Sequence, residues 1–342
     1  MKKILTGILV TLVAICVVLI LMVNSWMDTG YGRLNYKAAI ALKMADLMVG
    51  KDEFSLEKSR QEQTRLAEKL TGDQVPVDSV INRLVPGPAG DIPVRIYHPN
   101  RSKILPVIIF YHGGGWVQGN LDTFDNLVRY LAVKTKAVAV SVEYRLAPEH
   151  PFPAGIEDAY AVLTWIADNA ELIGGDPANI AVMGDSAGGN LSAAVSLLAR
   201  NNNGPEIARQ VLFYPATNLK SLDTESYIQL GRYRPTREKV IWLRDQYLPR
   251  QSDWANPLAS PLLAEDHRSL PPATIITAEI DPLKDDGKLY AEKLKNAGVA
   301  VNYHCYQGMI HGFASADRLF SQAREALNEA AADLRRSFGT SP

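Results

Sequence analysis

Four short, almost wholly apolar runs, residues 107–111, 137–142, 180–183 and 211–214, constrain most strongly what this chain can fold into. A strand with one wet face alternates apolar and polar side chains. Runs like these belong to strands covered on both faces, as in a parallel sheet. Residues 273–278 and 301–306 continue the series. Between the runs lie apolar stripes at helical spacing. One holds Ile156, Ala159, Tyr160, Leu163, Ile166 and Ala167; another holds Leu191, Ala194, Val195 and Leu198. A third, Tyr290, Ala291, Leu294 and Ala297, is closed by Gly298, placed for a left-handed C-terminal cap. The last runs through Phe320, Ala323, Leu327, Ala330, Leu334 and Phe338. Strands alternating with helices predict a mainly parallel sheet with helices on both faces. Two more runs, 80–85 and 94–97, joined by a Pro- and Gly-rich turn at 86–91, bring the expected strands to eight.

Length and charge narrow the function classes. A chain of 342 residues has room for one large domain or two small ones. Lys and Arg total 36 against 37 Asp and Glu, a net charge of -1, so the basic footprint of a nucleic-acid binder is missing. Cys16 and Cys305 are the only cysteines, which excludes a disulfide framework and any C-x₂-C zinc spacing.

Residues 4–23 form an uncharged apolar run behind Lys2 and Lys3. As a helix this run is about 30 Å long, the thickness of a bilayer's hydrocarbon core. A cleaved signal peptide has a shorter apolar stretch, about 7–15 residues, and small residues at its cleavage site. Met22-Val23-Asn24-Ser25-Trp26 offers no such site, and Trp26 suits a membrane–water interface. Residues 1–26 are therefore expected to be a membrane anchor with its positive end cytoplasmic and the rest of the chain extracytoplasmic, in a periplasm or at the cell surface. Secretion after signal cleavage is the alternative. In residues 27–75, Tyr36, Ile40, Met44, Leu47 and Met48 predict one helix, and Leu56, Leu66, Ala67 and Leu70 a second, with Ser55 and Glu57 at its start. The sheet domain is expected over 76–340. Its alternation lapses at about 216–266, which predicts a helical insertion above the sheet.

The strongest chemical signal is Gly184-Asp185-Ser186-Ala187-Gly188-Gly189, between a predicted strand and a predicted helix. This is a G-x-S-x-G nucleophile elbow in the strand–turn–helix context it needs. A second cluster, His112-Gly113-Gly114-Gly115-Trp116, follows the strand at 107–111. Attack on an ester creates an oxyanion, and backbone N–H groups approach it closely only where side chains are absent. An HGGG-type loop supplies such donors, together with the N–H after the nucleophile, here Ala187. A dinucleotide-binding G-x-G-x-x-G counted from Gly113 fails at Gln118. Of six histidines, His267, His304 and His311 follow the serine, as the chain order serine, acid, histidine requires. His304 falls within a predicted strand and His267 precedes the acid candidates. His311, in the loop Gly308-Met309-Ile310-His311-Gly312-Phe313, is placed to reach the sheet's C-terminal edge. Asp281, Asp285 and Asp286 all follow the strand at 273–278. Asp281 is nearest its end, whereas the other two are placed to open a helix, where carboxylates oppose the positive dipole.

With these motifs the chain resembles the hormone-sensitive-lipase-like family of α/β-hydrolase esterases. The likeness rests on residues 112–116 and 184–189, on Asp281-Pro282-Leu283, on His311-Gly312-Phe313 and on the stretch 143–154, over roughly residues 75–340. It implies an α/β-hydrolase fold and a helical cap made from the N-terminal helices and the 216–266 insertion. It also implies Ser186 as nucleophile, Asp281 and His311 as its partners, and Gly114, Gly115 and Ala187 as oxyanion donors. Arg145 and Glu149 would brace the loop beneath the site. The expected activity is hydrolysis of short- to medium-chain carboxylic esters through an acyl-enzyme, with no metal or organic cofactor. Amide hydrolysis or acyl transfer would use the same residues, and a non-catalytic ligand-binding receptor on this fold is the remaining alternative. Expected partners are a small-molecule ester and a membrane; a homo-oligomer is compatible with the sequence.

Overall fold

The strands are β1 (Ser79–Gly87), β2 (Gly90–His98), β3 (Leu105–Tyr111), β4 (Val138–Val142), β5 (Gly175–Asp185), β6 (Arg209–Phe213), β7 (Ala273–Ile280) and β8 (Val301–Ile310). In the computed structural model, which describes residues 2–48 and 54–340, they form one sheet in the order β1-β2-β4-β3-β5-β6-β7-β8. The pairs β1–β2 and β2–β4 are antiparallel and the remaining five are parallel. The helices are α1 (Lys2–Met27), α2 (Tyr36–Met48), α3 (Leu56–Leu70), α4 (Asp125–Thr135), α5 (Ala154–Asn169), α6 (Ala187–Asn201), α7 (Glu225–Leu230), α8 (Arg237–Tyr247), α9 (Lys284–Asn296) and α10 (Ser321–Ser337). Thus α7 and α8 fall in the 216–266 stretch.

Every predicted strand forms, but several run further than their apolar cores. Apolar runs mark only the part covered on both faces, whereas backbone pairing continues beyond the cover. β7 continues through a register shift to pair Ile280 with Ile310, so Asp281 and His311 each directly follow a strand. The expected loop at 308–313 is therefore strand up to Ile310. The turn at 86–91 tightens in the same way, because Gly87 pairs with Gly90.

Alternate residues of the central strands feed two cores. Val107, Ile109 and Tyr111 pack with Ile156 and Leu163 of α5 and Leu191 and Val195 of α6. Ile108 and Phe110 point the other way, to Leu127 and Leu131 of α4 and Leu327 and Leu334 of α10. The N-terminal helices depart from this plan. On α2 the small face of Ala38, Ala39 and Leu42 is buried, while Tyr36, Met44 and Leu47 are exposed. The Met48 side chain and residues 49–53 lie outside the described residues. α1 is long and apolar enough to cross a membrane, and the described protein covers none of its most apolar stretch.

Candidate active site

Ser186 occupies the single position between the end of β5 and the start of α6. Reversing direction in one residue forces it to φ 53° and ψ -115°, a sparsely populated conformation that costs on the order of 1–3 kcal/mol. The surroundings hold it there. Its N–H donates to the Phe213 carbonyl at 2.8 Å. Helix α6 passes so close to β3 that a Cβ on Gly188 would sit 1.8 Å from the Tyr111 carbonyl oxygen, so only glycine fits. In the run 180–197 every residue except Ser186 is buried.

His311 Nε2 lies 2.9 Å from Ser186 Oγ, and His311 Nδ1 lies 2.8 Å from Asp281 Oδ2. A carboxylate accepts, so Nδ1 carries the proton and Nε2 offers its lone pair to the serine hydroxyl. Asp281 is fully buried, and its other oxygen accepts the Leu283 N–H at 2.8 Å. The His311 ring packs against Tyr214, with centroids 4.7 Å apart. The structure therefore brings Ser186, His311 and Asp281 into one hydrogen-bonded line, and neither His304 nor His267 joins it. His304 approaches Glu329, and the His267 ring meets the Pro261 carbonyl.

Asp285 and Asp286 open α9, as expected, but the dipole does not describe their work. Asp286 is fully buried, and one carboxyl oxygen accepts the N–H groups of Thr217 and Asn218 at 2.9 and 3.1 Å. Burial pushes this carboxyl up to about 8. Asp285 accepts the Ser226 N–H at 2.8 Å. Both tie α9 to the segment carrying α7.

The glycine cluster forms a loop beside the serine. Gly113 N–H donates to Asp185 Oδ1 at 2.7 Å, so that donor is already used. Among the described residues, the N–H groups of Gly114 and Gly115 have no acceptor. Gly114 sits at φ 125°, and a Cβ there would lie 2.1 Å from the Gln118 carbonyl oxygen. Ala187 opens α6, so no carbonyl within the helix accepts its N–H, and the positive end of the dipole lies beside Ser186. His112 is buried, stacked on Tyr144 at 4.4 Å, with Nδ1 2.8 Å from the Gly113 carbonyl. Burial lowers its pKa to about 4, which keeps the ring neutral.

Sequence reasoning missed several residues that shape this loop. Asp185, inside the elbow motif, is a buried carboxyl pushed up to about 7 by desolvation, and it fixes Gly113. The signal was available, since a charged residue ending an apolar strand needs a partner. Tyr214, at φ 34° under His311, gave no sequence signal. Neither did Arg60 of α3, which donates to the Val117 carbonyl at 2.8 Å and pairs with Glu149 at 2.7 Å. Glu149 thus holds α3, while Arg145 pairs with the buried Asp158 at 2.8 Å. Above the loop, Tyr247 of α8 stacks on Trp116 at 4.5 Å.

Among the described residues, no three His, Cys, Asp or Glu side chains converge as a metal would require. A cleft of about 790 Å³ opens elsewhere, between Pro88, Phe152, Tyr160 and Leu258, and includes none of Ser186, His311 and Asp281. Chemistry, not volume, locates the site.

Proteins similar to this chain indicate its family and activity. The profile of a family described as alpha/beta hydrolase fold matches residues 108–315. Carboxylesterase NlhH of Mycobacterium tuberculosis is 44% identical over 257 residues, covering 72% of this chain and 79% of that protein. Carboxylic ester hydrolase LipN of the same organism is 41% identical over 284 residues, covering 81% and 75%. The crystal structure of EstE1, a thermophilic carboxylesterase from a metagenomic library, superposes with a TM-score of 0.81 at 42% identity, covering 84% of this chain and 99% of that one. The chain therefore belongs to the hormone-sensitive-lipase-like family of α/β hydrolases and is a carboxylic ester hydrolase.

Proposed function

We propose that this enzyme hydrolyses short- to medium-chain carboxylic esters by a serine mechanism, with Ser186 as nucleophile, His311 as base and Asp281 as orienting acid. The observation that carries the reading is the line of two hydrogen bonds, 2.9 Å from Ser186 to His311 and 2.8 Å from His311 to Asp281. His311 Nε2 takes the hydroxyl proton as Oγ forms its bond to the ester carbonyl carbon. The carbonyl π electrons move onto oxygen, and the N–H groups of Gly114, Gly115 and Ala187 hold that oxyanion. Collapse expels the alcohol, which leaves with the proton from His311, and an acyl-enzyme remains. Water then attacks the acyl carbon with His311 again as base, releasing the acid and restoring Ser186. Asp281 keeps the imidazole in the required tautomer and stabilises its charged form.

The N-terminal helices and the 216–266 insertion act as a cap over this edge. Support comes from Arg60, which joins α3 to the loop at Val117, and from Tyr247, which covers Trp116. α1 anchors the enzyme in a membrane with the sheet domain extracytoplasmic, a reading supported by its uncovered apolar surface and by Lys2 and Lys3 before it.

The test is Ser186→Ala. Loss of the nucleophile should lower kcat on the order of 10⁶-fold, the scale seen in unrelated serine hydrolases, with the fold retained. Substantial turnover by this variant would reject the serine mechanism. A panel of p-nitrophenyl esters with acyl chains from two to sixteen carbons then measures the chain-length preference.

A further inference from the structure

α2 carries its large apolar residues on the wrong side for a helix of a water-soluble domain. Tyr36, Ile40, Met44 and Leu47 recur at four-, four- and three-residue steps and form one stripe. Three of them are strongly exposed, at 52%, 56% and 78% for Tyr36, Met44 and Leu47. The stripe continues the uncovered surface of α1. Leu19, Ile20 and Val23 of α1 and Tyr36 and Ile40 of α2 line one shared groove of about 360 Å³. Trp26 near the end of α1, Tyr31 in the connection and Tyr36 at the start of α2 carry rings with polar tips, which favour the membrane–water boundary. The Lys43 ammonium stands 6.0 Å from the Trp26 ring centroid.

The junction between these helices is fastened to the catalytic edge of the sheet. Leu34 N–H donates to the Met27 carbonyl, and Asn35 N–H donates to the Gly308 carbonyl at 2.9 Å. Gly308 N–H in turn donates to Glu279 at 2.7 Å. Gly308 lies three residues before His311, and Glu279 two before Asp281. The end of α1 and the site therefore share one edge of the molecule.

We propose that α2 is a lipid-docking surface. Its outward stripe sits in the interfacial layer of the bilayer that α1 crosses, which holds the catalytic edge near the membrane. An interfacial helix buries its apolar face about 5–10 Å into the headgroup and acyl boundary. The substrates favoured by this arrangement are amphiphilic esters that partition into that layer. Lipid is the occupant because the groove makes the stripe of α2 continuous with the surface of α1. This proposal rests on the reading of α1 as a membrane anchor.

The test uses the full chain with Cys16→Ser and Cys305→Ser, reconstituted in phosphatidylcholine vesicles with and without brominated acyl chains. A nitrobenzoxadiazole label is attached in turn at Leu47→Cys on α2, Val10→Cys in α1 and Ala89→Cys in the β1–β2 turn. Labels at 10 and 47 should be quenched by the brominated lipid, and the label at 89 should not. Quenching at 10 with a water-like label at 47 would overturn the docking surface and leave the anchor reading standing. Quenching at neither position would reject the anchor reading, and the docking surface with it. A blue-shifted label at 47 that brominated lipid fails to quench would show that a second copy covers the stripe, which also overturns the proposal. For the substrate class, Leu47→Glu should lower hydrolysis of a medium-chain ester dissolved in the vesicles by about tenfold, a change of 1.4 kcal/mol. Hydrolysis of water-soluble p-nitrophenyl acetate should be unchanged. Equal loss on both esters, or on neither, would reject membrane-dissolved substrates.

Discussion

The apolar stripes of α10 and α2 recur at similar helical spacing, but the stripe of α10 faces the core and that of α2 faces outward. On α10, Leu327 and Leu334 are buried with Phe320 and Ala323 against the sheet. On α2, Met44 and Leu47 face out and the small residues Ala38 and Ala39 face in. The reason lies in what each helix meets. α10 lies on a broad sheet face that accepts large side chains. α2 lies beside β8 and the junction at Asn35, where alanines allow close approach. Periodicity establishes that a helix forms; the shape and solvent on each side decide which face is inward.

The carboxylates after β7 extend this comparison to polar residues, and they give the largest expected effect. Asp281 is tied to His311, whereas Asp285 ties α9 to Ser226. Asp281→Asn should lower kcat by about 10⁴, the scale of the corresponding change in a chymotrypsin-type enzyme. Its urea midpoint should stay near that of the parent. Asp285→Asn should keep most of the activity. A collapse of activity in Asp285→Asn with full activity in Asp281→Asn would reassign the acid.

Leu334→Ala takes the comparison to the inward stripe. Leu334 is fully buried, so truncation leaves a cavity and should cost about 2–5 kcal/mol in urea unfolding, with kcat little changed.

How much was legible in the sequence follows the same division. The eight strands were readable because doubly covered strands need unbroken apolar runs, and the elbow because one residue must turn a strand into a helix. Ser186, His311 and Asp281 could be picked out by motif, chain order and nearness to a strand end. Roles created by folding were not readable. From its position Asp286 reads as a helix-opening carboxylate, and its burial and its bonds from the N–H groups of Thr217 and Asn218 come with the fold. Arg60 lies 57 residues from Val117, and no local pattern links them. The outward face of α2 was hidden because its spacing suits a core helix equally well.

Burial of Asp286 has a pH consequence that tests this account. Its folded pKa, about 8, stands above the ordinary carboxyl value of 3.8, and Asp185, at about 7, is raised in the same sense. Between these limits the two folded carboxyls hold protons that the unfolded chain has released, so their contribution to stability falls as pH rises. The contribution is complete below about pH 4 and lost as pH passes through the folded values. His112, lowered to about 4 by burial, acts in the opposite sense up to about pH 6.5, so the parent is read against Asp286→Asn. One pKa unit corresponds to about 1.4 kcal/mol, and the parent should lose at least that much more than the variant between pH 5 and 9. Urea midpoints across this range should show the parent losing stability relative to Asp286→Asn as pH rises. Equal slopes for the two proteins would show that Asp286 is charged in the folded protein.

The smallest expected effect is the one that bears hardest on the comparison. Leu47 is 78% exposed, so truncating it creates no cavity and removes little protein contact. Leu47→Ala should shift the unfolding free energy of the detergent-solubilised chain by no more than about 0.5 kcal/mol, the range of ordinary surface changes. Activity on a water-soluble ester should be unchanged. Helix propensity works in the same direction, since Ala is at least as good a helix former as Leu, so no loss is expected from the backbone. A cost of about 2 kcal/mol or more would mean that protein covers the outward stripe of α2, and that α2 and α10 differ in place but not in kind.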